Sequence, residues 1–268
     1  MDFLNKLNKS IAQNNSLLCI GLDTEIAKLP SHIKNSEDAL FTFNKAIVDA
    51  TLDLVCCYKL NVAFYEAAGI DGLMQMKKTI EYIHDKHLTI ILDAKRSDIG
   101  NTARMYAKAA FEQWKVDAIT VNPYLGSDSV LPFVEYKDKG IIVVCKSSNP
   151  NAGDFQDLVS DNEPVYLHVA KKVNEWNTNN NCLMVVGPVT NDMSAIRAVA
   201  PDMFFLVPGI GAQGGDLEST LKSGLTKEKS GLIIHSARGI IYASSGEDFA
   251  EKARLEAQSL RDTINTYR

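Results

Sequence analysis

Residues 89–100 read TIILDAKRSDIG: an apolar run, 89–92, followed by Asp93, Lys95, Arg96 and Asp98 crowded into six positions. The run reads as a strand. Successive strand side chains alternate, so Asp93 and Lys95 are expected on one face and Arg96 on the other. A strand that leaves the core and meets carboxylate, ammonium and carboxylate is either a solvated end with incidental ion pairs or the edge of a site. The rest of the chain decides between these.

Seven further runs of this kind occur, at 17–23, 55–61, 118–124, 140–148, 182–189, 203–211 and 231–240. All are rich in Val, Ile, Leu and Cys, the composition of buried parallel strands. Helical periodicity fills the intervals. Ala39, Phe43, Ala46, Ile47 and Ala50 make one face, and Leu73, Met76, Ile80 and Ile83 another. Tyr106, Ala110 and Trp114 follow the third run, Val165, Val169, Val173 and Trp176 precede the sixth, and Ala250, Ala253, Ala257 and Leu260 close the chain. At the start, Phe3, Leu4, Leu7 and Ile11 repeat at helical spacing, an amphipathic helix lying on the core rather than a signal peptide. Eight strand–helix alternations in 268 residues predict an α/β TIM (β/α)8 barrel forming a single domain, 1–268. The alternative is a doubly wound open sheet, which usually has fewer strands and one switch point. The longest irregular stretches, 149–164 and 212–230, both follow strands at the end where barrel enzymes carry their sites.

Composition narrows the function. With 46% hydrophobic and 23% charged residues and net charge -5, the chain has the balance of a globular domain and no basic stripe for nucleic acid. No apolar run approaches the roughly 18–20 residues of a membrane span. The cysteines, Cys19, Cys56, Cys57, Cys145 and Cys182, sit in apolar runs without a C-x-x-C pair. They read as reduced core residues of a cytoplasmic protein, not as a disulfide framework or zinc site.

Polar residues gather at the C-terminal ends of the expected strands. Asp23 ends the first, Lys59 and Asn61 the second, Asp93 and Lys95 the third with Asp98 beyond, and Asn122 the fourth. Lys146, Ser147, Ser148 and Asn149 end the fifth, GIGAQGGD the seventh and HSARG the eighth. The sixth ends in GPVT, a turn and helix start. The opposite ends show no such clustering, and barrel sites form at the C-terminal face. Gly209 to Gly214 match G-x-G-x-x-G, yet they follow the seventh run, whereas a dinucleotide fingerprint belongs in the first βα turn. Glycines there, with Arg238 after the eighth run, suit a phosphate site. His32, His84, His87, His168 and His235 show no metal-ligand spacing, and His235 reads as a core or supporting residue.

With Lys59, Asp93, Lys95 and Asp98 placed, the chain resembles the orotidine 5′-phosphate decarboxylase family, in particular its longer subgroup with a D-A-K-R-x-D-I-G core. The resemblance runs from CIGLD at 19–23 to ARG at 237–239. It implies conversion of orotidine 5′-phosphate to UMP and CO2, the last step of UMP biosynthesis, with no cofactor and no metal. It implies Lys59, Asp93, Lys95 and Asp98 as the catalytic network, with Lys95 as proton donor. It implies a homodimer in which Asp98 and Thr102 reach the partner's site. Asp23 and Asn61 would meet the ribose, Ser147 the pyrimidine amide edge, and Gln213, Arg238 and Gly239 the phosphate. Association with orotate phosphoribosyltransferase, the preceding enzyme, is compatible with it. Related Mg²⁺-dependent sugar-phosphate decarboxylases share D-x-K-x-x-D but carry a glutamate where this chain has Lys59, and an ammonium repels a metal. The intact Lys59–Asp93–Lys95–Asp98 set argues against a non-catalytic nucleotide-phosphate binder, because charges are costly to retain in a pocket.

Overall fold

The computed structural model describes residues 1–210 and 216–268. Eight parallel strands form a closed barrel: β1 Leu18–Gly21, β2 Cys57–Asn61, β3 Thr89–Arg96, β4 Ala118–Val121, β5 Gly140–Lys146, β6 Cys182–Val186, β7 Phe205–Val207 and β8 Leu232–Ser236. Strands adjacent in sequence pair, and β8 returns to β1 with Leu18 opposite Ile234. Closure excludes the open sheet. Seven of the eight strands fall within their expected runs, which mostly overshoot, whereas β3 continues past its run to Arg96. The fourth stops at Val121 because Asn122 caps a 3-10 turn, Pro123–Leu125, accepting from the Tyr124 N–H, and Pro123 has no N–H for a ladder.

Helices Ala39–Thr51, Gly69–Asp85, Gly100–Lys108, Val165–Trp176, Thr190–Val199, Leu217–Gly224 and Phe249–Asn265 surround the barrel. Their apolar stripes face the strands, and one continuous core extends from Phe3 to Ile264. One local expectation is broadened and two need correction. Helix Val165–Trp176 buries Val173 and packs Val169 and Trp176 against the core, as expected, and its inward face also takes in Tyr166 and Ala170. The stretch 212–230 contains helix Leu217–Gly224, started by Asp216, which accepts from the Glu218 and Ser219 N–H groups. The stretch 149–164 holds a 3-10 turn, Pro150–Asp154, and a small antiparallel hairpin pairing Val159–Ser160 with Glu163–Pro164.

The N-terminal helix, Phe3–Asn14, closes the bottom of the barrel. Asp2 caps it, and Phe3, Leu7 and Ile11 are buried. Phe3 lies so close to Gly140 that a Cβ there would collide with its ring, so a glycine begins β5. Lys6 donates to both oxygens of Asp117 at 2.9 Å, and Asp117 Oδ2 also accepts the Ile90 N–H. With this end plugged, the opposite mouth is where a substrate can enter. All five cysteines are buried and unpaired. Among the described residues, no helix is long and apolar enough to cross a membrane.

Candidate active site

The site begins with an irregularity in β3. Leu92 pairs with Ile119 of β4, but the next pair is Arg96 with Val121. Asp93, Ala94 and Lys95 therefore face the single residue Thr120, which makes a β-bulge. Lys95 takes φ +44°, a left-handed conformation that an L-residue with a Cβ adopts at a cost. Strict alternation thus fails here. Asp93 and Lys95 do meet, as expected, but through the bulge rather than through the period of two.

The charges then assemble across three strands. Register sets Gly21 opposite Lys59 and Asn61 opposite Asp93. Lys59 Nζ donates to Asp93 Oδ2 at 2.9 Å and lies 3.6 Å from Asp23 Oδ1. Lys95 Nζ donates to Asp93 Oδ1 at 2.6 Å, and the Thr120 hydroxyl donates to that oxygen at 2.9 Å. Burial alone would raise the Asp93 carboxyl, but the Lys59 and Lys95 ammonium groups outweigh it and hold it far below the usual carboxylate range. Burial likewise opposes the Lys59 charge, and Asp93 and Asp23 overcome it, so its pKa is raised. Removing either partner would strand a buried charge.

The neighbouring loops are anchored. Tyr65 donates to the Leu22 carbonyl at 2.7 Å, and its hydroxyl accepts from buried Asn44. Asp23 lines the cavity, and its Oδ1 is buried with no hydrogen-bond partner among the described residues. Asn61 accepts from the Ala63 N–H. Gln156 grips Ser147 twice, accepting from its N–H at 2.9 Å and donating to its hydroxyl at 2.8 Å. Ser147 in turn donates to Asn149 at 2.6 Å. Buried Lys146 pairs with Asp157 and lies 3.7 Å from Asp192, which ties the 149–164 segment to the barrel.

These residues surround a cavity of about 280 Å³ at the C-terminal mouth. Asp23, Lys59, Asn61, Asp93, Lys95, Ser147 and Arg238 line it, with Val144, Val185, Leu206 and Ile210 as its apolar wall. Seven of the eleven expected site residues are therefore together. Gly239 lies next to the lining residue Arg238, with open space where a Cβ would project. Asp98 and Thr102 are not in this lining. Asp98 accepts the Ile99 N–H beyond β3, and Thr102 is exposed on the helix that follows. Gln213 lies outside the described residues, as does most of the glycine-rich string.

Sequence reading missed Thr120, His235 and Gln156. Thr120 sits in the run AITV, where a β-branched residue looks like core. His235, taken for a core or supporting residue, lines the cavity, and its Nε2 has no partner among the described residues. Burial drives its imidazole well below its ordinary range, and the nearby Lys59 charge adds to this. A Cβ at Gly21 would collide with His235 Nε2, so β1 needs glycine there. Gln156 lay in a stretch without periodic signal.

Comparison with known proteins identifies the family. The model of the orotidine 5′-phosphate decarboxylase / HUMPS family matches residues 16–253. The chain is 50% identical over 274 residues to the orotidine 5′-phosphate decarboxylase of Cellvibrio japonicus (strain Ueda107), covering 100% of both chains. It is 48% identical over 272 residues to the same-named protein of Azoarcus sp. (strain BH72), again covering 100% of both. Among solved structures, the OMP decarboxylase of Leishmania donovani is similar with a TM-score of 0.86 at 34% identity, covering 100% of this chain and 98% of that one. Likeness of this extent leaves one assignment: the chain belongs to the orotidine 5′-phosphate decarboxylase / HUMPS family.

Proposed function

We propose that this chain, as one decarboxylase domain over residues 1–268, converts orotidine 5′-phosphate to UMP and CO2 without metal or cofactor, as the last step of UMP biosynthesis. The observation that carries the reading is Asp93 held between two ammonium groups at the cavity mouth. Breaking the bond between pyrimidine C6 and its carboxylate leaves an electron pair on C6 in the ring plane, beyond reach of the ring π system. That charge needs a fixed cation beside it and then a proton. Lys95 supplies both: its ammonium proton passes to C6 as CO2 departs, and solvent restores the proton to the amine. Asp93 accepts from the Lys95 ammonium and holds it in place, and its own charge disfavours a substrate carboxylate beside it while tolerating neutral CO2. Lys59 balances Asp93 and orients it.

The other assignments are those that the family resemblance implies. Asp23 and Asn61 hold the ribose hydroxyls, Ser147 the amide edge of the base, and Arg238 with Gly239 and Gln213 the phosphate. Grip on the distant phosphate supports chemistry at the ring. Asp98 and Thr102 serve the site of a second copy, and the apolar side chains of Ile99, Met105, Tyr124 and Leu125, exposed in the single chain, suit a covered interface. Five unpaired cysteines favour a reducing compartment such as the cytoplasm.

Within the family, the Mg²⁺-dependent reading is disfavoured by Lys59 and Lys95, which occupy both Asp93 oxygens where a cation would need ligands. The test is turnover of orotidine 5′-phosphate with a chelator present, followed by loss of the orotidine absorbance. Full activity is expected. No turnover overturns the assignment, and turnover only after Mg²⁺ is added transfers it to the metal-dependent branch.

A further inference from the structure

The bulge that carries Lys95 has one keystone, and it lies on the neighbouring strand. Thr120 is fully buried, and its hydroxyl makes three hydrogen bonds. It accepts from the Ala94 N–H at 3.0 Å and the Lys95 N–H at 2.9 Å, and it donates to Asp93 Oδ1 at 2.9 Å. Those two backbone donors fall where β3 and β4 are out of register. Without the hydroxyl, these two half-buried donors lose the acceptor it gives them, and a donor left unpaired away from water is costly. The same atom also fixes the Asp93 oxygen to which Lys95 Nζ donates. One hydroxyl thus sets both ends of the Lys95 side chain: its backbone in the left-handed conformation and the carboxylate that receives its ammonium.

We propose that Thr120 is the positioning residue of the decarboxylation site, holding Lys95 and Asp93 in the one relative geometry that delivers a proton to the substrate carbon. This rests on the proposed decarboxylase function for its consequence, but not for its geometry. Two other polar groups of the cavity are already engaged. Lys59 is already committed to Asp93 Oδ2, and Ser147 to Gln156 and Asn149. Because Thr120 acts through Asp93 and Lys95, it influences the chemical step more than ground-state binding of the nucleotide. Misplacement of a reacting group by about 1 Å costs on the order of 100-fold in rate.

The test compares Thr120→Val, which keeps the shape and deletes the hydroxyl, with Thr120→Ser, which keeps the hydroxyl. For both, kcat, KM, UMP binding and a crystal structure are measured beside the wild type. In Thr120→Val, kcat falls by about 10–100-fold, while KM and the UMP dissociation constant stay within a few-fold. Lys95 leaves positive φ, or its ammonium separates from Asp93 Oδ1. Thr120→Ser restores kcat to within a few-fold of wild type and restores the bulge. A purely structural role would instead lower the unfolding midpoint of Thr120→Val and leave kcat intact. An unchanged kcat in the valine variant overturns the proposal, as does a loss wholly in KM or a serine variant as impaired as the valine one. If the wild type itself lacks decarboxylase activity, the functional reading fails, and the bulge geometry in the variant crystals still decides whether Thr120 positions Lys95. If the valine variant does not fold, failure of the serine variant to match wild-type kcat overturns the proposal, and recovery supports it.

Discussion

At the scale of single residues, the site is a set of charges whose protonation burial opposes and neighbours decide. Asp93 stays ionised because two ammonium groups outweigh its burial, while His235 stays neutral because burial is reinforced by Lys59. The histidine gives a pH signature with a definite sign. The folded state holds its pKa well below the unfolded value near 6.5, so the unfolded chain takes up a proton first as pH falls. Stability from this group is full above about pH 6.5 and declines below it, with a slope of at most about 1.4 kcal/mol per pH unit. Urea midpoints measured from pH 7.5 to 5 should therefore fall, and His235→Asn should flatten part of that fall. His84, also lowered by burial, keeps the remainder. An unchanged slope in His235→Asn would show that the imidazole is protonated in the folded protein. Asp93 adds a second loss of the same sign at more acid pH, since its depressed carboxyl stabilises the fold above the unfolded value near 3.9.

At the scale of elements, one end of the barrel is built for stability and the other for chemistry. Helix Phe3–Asn14 seals the bottom through Phe3 against Gly140 and through Lys6 on Asp117. Phe3 is only 2% exposed. Its truncation leaves a cavity, so Phe3→Ala should cost about 3 kcal/mol of unfolding free energy. The residue sits at the end away from the mouth, so kcat at a permissive temperature should not change. Chemical denaturation alongside a rate assay checks both. A wild-type midpoint would mean that the helix contributes little to the plug, and a lowered kcat would mean that it communicates with the mouth. At the other end, the β3 bulge sacrifices ladder regularity to aim Lys95, and Thr120 on β4 supplies the bonds the ladder has lost.

At the scale of the whole molecule, the cavity of one chain lacks Asp98 and Thr102 from its lining. If Asp98 serves the neighbouring site of a homodimer, mixing inactive Lys95→Ala with inactive Asp98→Ala creates hybrids in which one site has both residues. Random exchange makes half of the dimers hybrid, so activity should recover to about a quarter of wild type. Native mass spectrometry can verify exchange. Exchange without recovery would assign Asp98 to its own chain's site. The hybrid experiment therefore tests the dimer and the division of labour together, neither of which a single chain displays.

Much of this was readable before any coordinates. Eight apolar runs spaced by helical patterns determined a barrel, because burial of parallel strands on both faces leaves a compositional trace in every strand. The asymmetry of polar residues at run ends determined which mouth would hold the site, and Lys59, Asp93 and Lys95 were identifiable by their place in that pattern. What the tertiary structure alone decided was how those residues meet. The bulge arises from pairing between β3 and β4, a non-local register that no period within TIILDAKR encodes. Thr120 looked like one more β-branched core residue, since a hydroxyl shows its use only when the backbone N–H groups it must satisfy lie on the next strand. Gln156 and His235 show their places only in the folded chain: a loop turns Gln156 back onto Ser147, and His235 meets the cavity once the barrel closes. Local burial preferences write the strands into the sequence, whereas the placement of Lys95 depends on contacts that exist only once the barrel has closed.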